Sequence, residues 1–290
     1  MSCVNRGPVI HIGLPKCGST FLQERVFPKL QNMPYVADNG TEDILAKNSF
    51  DDLPQDLVFF QKRGERYCFS HEGLSDYVMS PEIRFTEYSH RHNCLTNLRR
   101  IFETEGRFLL QIRRQDLMVQ SIFQHNAPSF IYRPEDIFID YPAQNLGSGA
   151  VKLRKRVGMI YFETLDFFRI VERLGPDRVD VLLLEELSDD PETYFRRLGD
   201  IMGEDLRHFA QSQKKVNESH AEATRYPQSL GFLKPLVRKL GMADLAAKAL
   251  RRRMDLSPEF AAKVLRDYEY GNRKLQKLYG LPMEKYGYFV

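Results

Sequence analysis

The sequence lacks several features that would define its class at once. It has no tryptophan and only four cysteines, which are too widely spaced for a disulfide framework or a C-x-x-C metal site. It has neither an apolar run of about 18 residues nor an apolar segment behind a basic start, so we expect no transmembrane helix and no secretory signal. Unpaired cysteines are typical of reducing compartments. We therefore expect a cytoplasmic protein with no stable membrane insertion.

An excess of charge of one sign is also missing. The 42 lysines and arginines against 39 aspartates and glutamates leave a formal net charge of +3, which gives no argument for nucleic-acid binding. The charged fraction of 28% and the hydrophobic fraction of 42% are close to globular averages, which excludes a disordered chain, a collagen and a coiled coil. The 290 residues are enough to bury a sizeable core, in one large domain or two small ones.

Short apolar runs alternate with segments of helical periodicity, a pattern typical of an α/β fold with a mainly parallel sheet. We predict strands at 9–12, 67–70, 108–112 and 179–184. We predict helices from Ser19 onward, at 93–105, 115–125 and 158–174, and from Pro191, since proline is tolerated in a first helical turn. The C-terminal third is predicted to be mostly helical, and no repeat or linker marks a domain boundary.

The segment 13–20, Gly-Leu-Pro-Lys-Cys-Gly-Ser-Thr, joins the first predicted strand to the first predicted helix. Such a turn directs backbone N–H groups and the positive end of the helix at one point, which makes a cradle for an anion. Its spacing of Gly13 and Gly18 matches that of a nucleoside-triphosphate P-loop. However, a Walker loop needs lysine directly after the second glycine, where this chain has Ser19 and places its lysine earlier, at Lys16. No convincing Walker-B aspartate for magnesium follows, because Asp180 lies within a predicted strand.

A second basic motif, Arg113-Arg114, follows the predicted strand 108–112. Arginine offers phosphate a permanently charged, bidentate fork. Ser121 stands eight residues after Arg113, about two turns into the next predicted helix, so its hydroxyl can point back toward the strand end. From the residues alone, the two arginines are either surface charges at a strand end or a contact for an anion such as phosphate.

The segment 15–20, Pro-Lys-Cys-Gly-Ser-Thr after an apolar strand, resembles the 5′-phosphosulfate loop of sulfotransferases that use 3′-phosphoadenylyl sulfate (PAPS). Arg113 and Ser121 match the spacing of the pair that binds the 3′-phosphate in that family. Cys17 stands where the family more often has threonine or serine, and Gln115 where it often has proline. Segments 181–191, 215–219 and 270–288 are more loosely similar. The resemblance spans nearly the whole chain, and so it implies one domain, 1–290.

The resemblance implies a three-layer, P-loop-like domain with a central parallel sheet flanked by helices, PAPS as donor, its product PAP, and no metal. It implies cofactor binding by Pro15, Lys16, Cys17, Gly18, Ser19, Thr20, Arg113 and Ser121. Lys16 would stabilise the leaving phosphate. The general base for the acceptor hydroxyl would be Glu72, which we favour, or His71, both at the end of the second predicted strand. The acceptor would be a small molecule, a glycan or a lipid.

Other functions are open at this stage. A P-loop kinase or NTPase is disfavoured by the displaced lysine, and a PAP- or nucleotide-binding module without a base remains an alternative. Cys17 at a helix N-terminus would suit a phosphatase-like nucleophile, but the usual following arginine is absent. We interpret His11 as a core residue and His125 as a weaker candidate for acceptor contact. The basic segments 152–156 and 248–253 are solvated surfaces or contacts with an anionic acceptor or membrane. The oligomeric state is not predicted.

Overall fold

The computed structural model describes residues 7–37, 41, 44–45, 48–62, 64–71, 74, 87–126, 165–211 and 256–290, leaving aside the side chains of 87–93 and 122–126. The strands are β1 (Val9–Ile12), β2 (Tyr35–Val36), β3 (Cys68–His71), β4 (Arg107–Ile112) and β5 (Val179–Leu183). The α-helices are α1 (Ser19–Phe21), α2 (Val58–Gln61), α3 (Glu87–Ile101), α4 (Gln115–Asn126), α5 (Phe167–Leu174), α6 (Leu184–Asp189), α7 (Pro191–Met202), α8 (His208–Gln211) and α9 (Pro258–Tyr279). Helix α1 continues as a π-helical segment (Leu22–Val26) and a 3₁₀ turn (Phe27–Lys29).

The five strands form one sheet in the order β2-β3-β1-β4-β5, and every pair of neighbours is parallel. Strand β1 lies in the middle, with Ile12 level with His71 of β3 and with Leu110 of β4. From β1 the chain goes to β2 and β3 on one side and reaches β4 and β5 on the other. The predicted α/β class with a central parallel sheet is confirmed.

Side-chain alternation along the strands divides the apolar interior into two layers, as expected for a sheet covered on both faces. Ile10 and Ile12 of β1 belong to one layer, together with buried residues of α3, α5 and α9. Val9 belongs to the other layer, together with the first helix and α7. Aromatic side chains fill much of both layers: Phe59, Phe69, Phe102 and Phe108 in the first, and Phe21, Phe27, Tyr194 and Phe195 in the second.

Helix ends follow the local signals in the sequence. Asp190 caps α7 by accepting from the Thr193 amide, Pro191 occupies the first turn, and Gly203 ends the helix at a φ of 70°. The 22-residue helix α9 is capped in the same way by Ser257 and ended by Gly280. Helix α9 supports the predicted helical C-terminal region, while 212–255 lie outside the described residues.

Several boundaries differ from the predictions. The predicted strand 67–70 forms one residue later, and α3 begins at Glu87 rather than at 93. Residue 184, predicted to end a strand, begins helix α6. Of the predicted helix 158–174, the described part is α5, which begins at Phe167 behind its cap Asp166. None of the helices in the described ranges is both long and apolar enough to cross a membrane.

Candidate functional site

Three elements that carry sequence-predicted residues meet at the carboxyl edge of the sheet. The loop of residues 13–18 leaves β1 in the middle of this edge. On one side, His71 ends β3 level with Ile12, and its carbonyl accepts a hydrogen bond from the Gly13 amide at 3.3 Å. On the other side, Arg113 directly follows β4. Open parallel sheets bind ligands at this edge, beside the strand where the chain reverses its direction across the sheet.

The backbone of the loop is bent at two positions. Lys16 has a φ of 58° and is the one non-glycine residue with positive φ in the described ranges, while Gly18 has a φ of 83°. The Leu14 carbonyl accepts the Cys17 amide at 3.3 Å and the Ser19 hydroxyl at 3.1 Å. The Ser19 hydroxyl, buried at 1% exposure, thus closes the loop from inside. The bend turns the chain so that α1 begins directly behind it.

The N-terminus of α1 has no side-chain cap. Gly18 occupies the capping position and has no side chain that could accept a hydrogen bond from the first amides of the helix. In contrast, α5, α7 and α9 are capped by the side chains of Asp166, Asp190 and Ser257. Amides in a first helical turn have no carbonyl partner within their own helix, and they carry the positive end of the helix dipole. The start of α1 is therefore suited to an anion.

A buried polar pair lies beneath the loop, and sequence reasoning missed it. The Gln111 side chain of β4 donates from Nε2 to the Cys17 carbonyl, and its Oε1 accepts from the Tyr194 hydroxyl of α7. Both side chains are fully buried. Gly18 has a positive φ that other residues rarely adopt, and a Cβ there would lie 2.7 Å from Gln111 Nε2 and 2.8 Å from Leu184 Cδ1, so these two side-chain ends would have to shift. The available signal was a glutamine inside an otherwise apolar strand.

The two consecutive arginines after β4 have different partners. Arg113 Nη1 donates to the Lys16 carbonyl at 3.2 Å, which brings this half-buried side chain against the loop. Arg114 instead forms a bidentate pair with Asp116, at 2.7 and 2.9 Å, which raises its pKa. Ser121 lies half-buried in α4, two turns further on. Of the two arginines, Arg113 is the one in contact with the loop.

The C-terminal segment packs against the same edge of the sheet. The Tyr288 hydroxyl donates to Glu185 Oε2 at 2.9 Å, and Glu185 Oε1 accepts from the Arg114 amide at 2.9 Å. Burial and the neighbouring Glu185 raise the pKa of Tyr288 well above its usual value, so the hydroxyl remains a donor. The segment therefore covers one side of the connection after β4.

His11 is a core residue, as predicted. It is fully buried, and burial lowers its pKa to about 3. Its Nδ1 lies 2.7 Å from the Ser70 hydroxyl oxygen, which also accepts from Gln23 Nε2 at 3.0 Å. These contacts connect the end of β3 with the first helix. His11 is neutral at physiological pH and belongs to the scaffold beneath the loop.

Several predicted residues lie outside the described part of the chain. They are Glu72, which was the favoured base, the side chain of His125, and the basic segments 152–156 and 248–253. His71, the second candidate for the base, is described and half-buried. Within the described ranges, no group of three or more histidine, cysteine, aspartate and glutamate side chains is placed to hold a metal ion.

A groove of about 850 Å³ lies at the opposite, amino edge of the sheet. It is lined by Arg66, Arg107, Asp180 and residues at the end of α7, among others. Arg107 is paired with Asp180 and Arg207 with Asp205, so acidic and basic groups neutralise each other there. The loop and Arg113 lie at the other edge, so this groove is not part of the candidate site.

Comparison with known proteins finds similarity at the level of structure. No family model matches the sequence, and no curated protein does. Among solved structures, the chain is similar to a sulfotransferase from Alicyclobacillus acidocaldarius, with 15% sequence identity and a TM-score of 0.45. The similarity covers 89% of this chain and 98% of that one.

Proposed function

We propose that this protein is a sulfotransferase that moves a sulfuryl group from PAPS to an acceptor hydroxyl and releases PAP. The observation that carries the proposal is the contact between the two motifs that sequence reasoning singled out. Arg113 Nη1 donates to the Lys16 carbonyl at 3.2 Å across 97 positions of sequence. The contact brings the Arg113 guanidinium against the backbone of the loop that carries Lys16, at the same edge of the sheet as the uncapped start of α1. A donor with a 3′-phosphate and a 5′-phosphosulfate requires such a set of groups.

The residues present fit this donor. The amides at the start of α1, from Gly18 to Thr20, and the Lys16 ammonium would hold the 5′-phosphosulfate, while Arg113 and Ser121 would hold the 3′-phosphate. The Cys17 amide, which we also expected to contribute, donates to the Leu14 carbonyl instead. The displaced lysine separates this loop from one that holds a triphosphate with magnesium.

Sulfuryl transfer requires the protein to position the donor and the acceptor and to stabilise the charge of the transition state, rather than to form a covalent intermediate. The oxygen of the acceptor hydroxyl forms a bond to sulfur while the bond from sulfur to the phosphate oxygen breaks. Lys16 would neutralise the charge that grows on that oxygen. A base at the end of β3 would take the proton of the hydroxyl. His71 and Glu72 follow one another there, and Glu72 remains our first choice.

The base assignment has a direct test. Glu72→Gln should lower turnover at least 100-fold without weakening PAP binding, because a general base contributes about 10²–10⁴ to the rate. His71→Ala should then have a smaller effect. If Glu72→Gln retains near-normal turnover while His71→Ala does not, the base is His71.

The function is tested by ligand stabilisation and by turnover. PAP should raise the melting temperature of the protein, whereas ATP with Mg²⁺ should not. Labelled PAPS should then transfer its label to at least one member of a panel of small-molecule, glycan and lipid hydroxyls. Stabilisation by ATP with Mg²⁺ alone would indicate the kinase or NTPase alternative. Tight PAP binding without any transfer would indicate the binding module. A single domain of 1–290 and a cytoplasmic location remain part of the proposal.

A further inference from the structure

The Gln111 amide is held in one orientation by its two partners. The Tyr194 hydroxyl donates to Oε1, and burial raises the pKa of Tyr194 strongly, so the hydroxyl keeps its proton. The amide nitrogen is consequently directed at the Cys17 carbonyl, to which it donates. Because Gln111 and Tyr194 are fully buried, water does not compete for these groups.

This contact also fixes a peptide plane in the loop. The structure has no cis peptide bonds in its described ranges, so the Gly18 N–H points opposite to the Cys17 carbonyl. The carbonyl faces Gln111, which lies in β4 beneath the loop. The Gly18 N–H is therefore directed away from the sheet, on the side where α1 has its uncapped end. This is the direction from which an anion would approach.

Burying the polar side chains of Gln111 and Tyr194 lowers the free energy of unfolding unless their polar atoms form hydrogen bonds. Each polar atom of Gln111 must find a partner inside the protein, and an apolar residue would fill the same strand position without that demand. The neighbouring β4 positions are indeed apolar: Phe108, Leu109, Leu110 and Ile112. Among the described residues, the side-chain hydrogen bonds of Gln111 join the loop to Tyr194 of α7.

We propose that Tyr194 and Gln111 form a buried relay that orients the Cys17–Gly18 peptide, so that the Gly18 amide donates to the 5′-phosphate group of the bound nucleotide. The inference rests on the proposed function and extends it to two positioning residues outside both motifs. Neither side chain touches the ligand. Gln111 and Tyr194 act through the Cys17–Gly18 peptide group alone, so their loss should weaken only the binding of the phosphate at the loop.

The test compares two nucleotides that differ in that phosphate. PAP carries phosphates at the 3′ and 5′ positions, and adenosine 3′-monophosphate lacks the 5′ one. Calorimetric titration of Tyr194→Phe should show PAP binding weakened about fivefold to tenfold, the effect of one hydrogen bond. Binding of adenosine 3′-monophosphate should stay at the wild-type level. Gln111→Glu should weaken PAP binding further, because a carboxylate accepts from Tyr194 but has no proton to donate to Cys17.

Tyr67→Phe is the matched control. Tyr67 is also fully buried, and its hydroxyl has no hydrogen-bond partner in the described part of the structure, so its removal should leave both affinities unchanged. If Tyr194→Phe weakens both nucleotides equally, or neither, the relay is overturned while the proposed function stands. If the wild-type protein binds PAP no more tightly than adenosine 3′-monophosphate, the 5′-phosphate cradle fails and the proposed function fails with it.

Discussion

Lys16 and Arg113 carry the same charge but should contribute to different steps. Lys16 lies inside the loop, where in the proposed reaction charge would grow on the leaving phosphate, and Arg113 lies at the end of β4. Lys16→Ala should lower kcat at least 100-fold, the usual cost of losing one group that stabilises a transition state. Arg113→Ala should weaken PAP binding about tenfold to 100-fold, the cost of one charge-assisted contact. Steady-state kinetics and calorimetric titration of PAP measure the two effects.

Lys277→Ala, an exposed lysine of α9, is the control for loss of charge and should change neither quantity. If Lys16→Ala raises KM without lowering kcat, the lysine only binds the donor, and its assignment to the transition state is wrong.

His11 should make stability depend on pH. Its pKa is about 3 in the folded protein, lowered by burial from an unfolded value of 6.5. The unfolded chain therefore binds more protons between these values, and the free energy of unfolding should fall as pH drops from 6.5 toward 3, by about 1.4 kcal/mol per pH unit. Above pH 6.5 His11 should have no effect. Urea denaturation at a series of pH values measures this slope.

His11→Gln should reduce that slope, since glutamine keeps a polar contact for Ser70 but does not titrate. His208→Gln, at an exposed histidine of α8, serves as control. An unchanged slope in His11→Gln would mean that another group causes the acid sensitivity.

Candidate site residues could be selected from the sequence where the signal is local. Lys16 and Gly18 lie two positions apart within one loop, so their spacing can be recognised in a short stretch of sequence. Gln111 and Tyr194 were not found, because they are 83 positions apart and only the packing of α7 on the sheet brings them together. A polar residue in a buried strand shows that a partner is needed, but not which residue provides it.

At the scale of elements, the connection after β4 depends on the C-terminal helix. Gln115 at the start of α4 and Asn272 of α9 exchange two amide hydrogen bonds, at 2.7 and 3.1 Å, and Asn272 also donates to the Tyr288 carbonyl at 3.2 Å. Asn272 is 1% exposed. Asn272→Ala should lower the free energy of unfolding by about 1–3 kcal/mol, because the buried Gln115 amide loses both hydrogen bonds to Asn272 and the Tyr288 carbonyl loses the one it accepts.

Urea denaturation checks this value, with the exposed Lys277→Ala of the same helix as control. A change in Asn272→Ala as small as that of the control would show that Gln115 and the Tyr288 carbonyl find other partners. In that case α9 would not hold the connection in place.

The elements themselves were predictable in type but not in detail. Strands β1, β3, β4 and β5 appeared as apolar runs, because parallel strands are buried on both faces. Strand β2 has only two residues, too few for a recognisable pattern. The π-helical segment after α1 has only five residues, and over this length its apolar spacing is the same as that of an α-helix. The sequence therefore predicts a helix there but cannot distinguish a π-helix from an α-helix.

At the scale of the whole molecule, the sheet separates two kinds of charged groups. At the carboxyl edge, Arg113 contacts a loop carbonyl, and Lys16 belongs to the same loop. At the amino edge, Arg107 forms two hydrogen bonds with Asp180, at 2.6 and 2.7 Å, which raise its pKa. The Arg107–Asp180 pair at the amino edge adds nothing to the net charge, whereas Lys16 and Arg113 at the carboxyl edge are the charges to which the proposed function assigns a role. Composition reports only the sum, which is why it gave no functional signal.

This separation predicts opposite outcomes for charge removal at the two edges. Asp180→Asn should lower the free energy of unfolding by up to about 1 kcal/mol, because the pair is partly exposed and solvent screens it, with side-chain exposures of 33% for Arg107 and 23% for Asp180. Turnover and PAP affinity should remain unchanged, since Asp180 lies near the start of β5, away from the loop. Lys16→Ala should show the reverse, with turnover lost and the urea midpoint retained. A loss of turnover in Asp180→Asn at temperatures where it is fully folded would mean that the amino edge takes part in the reaction.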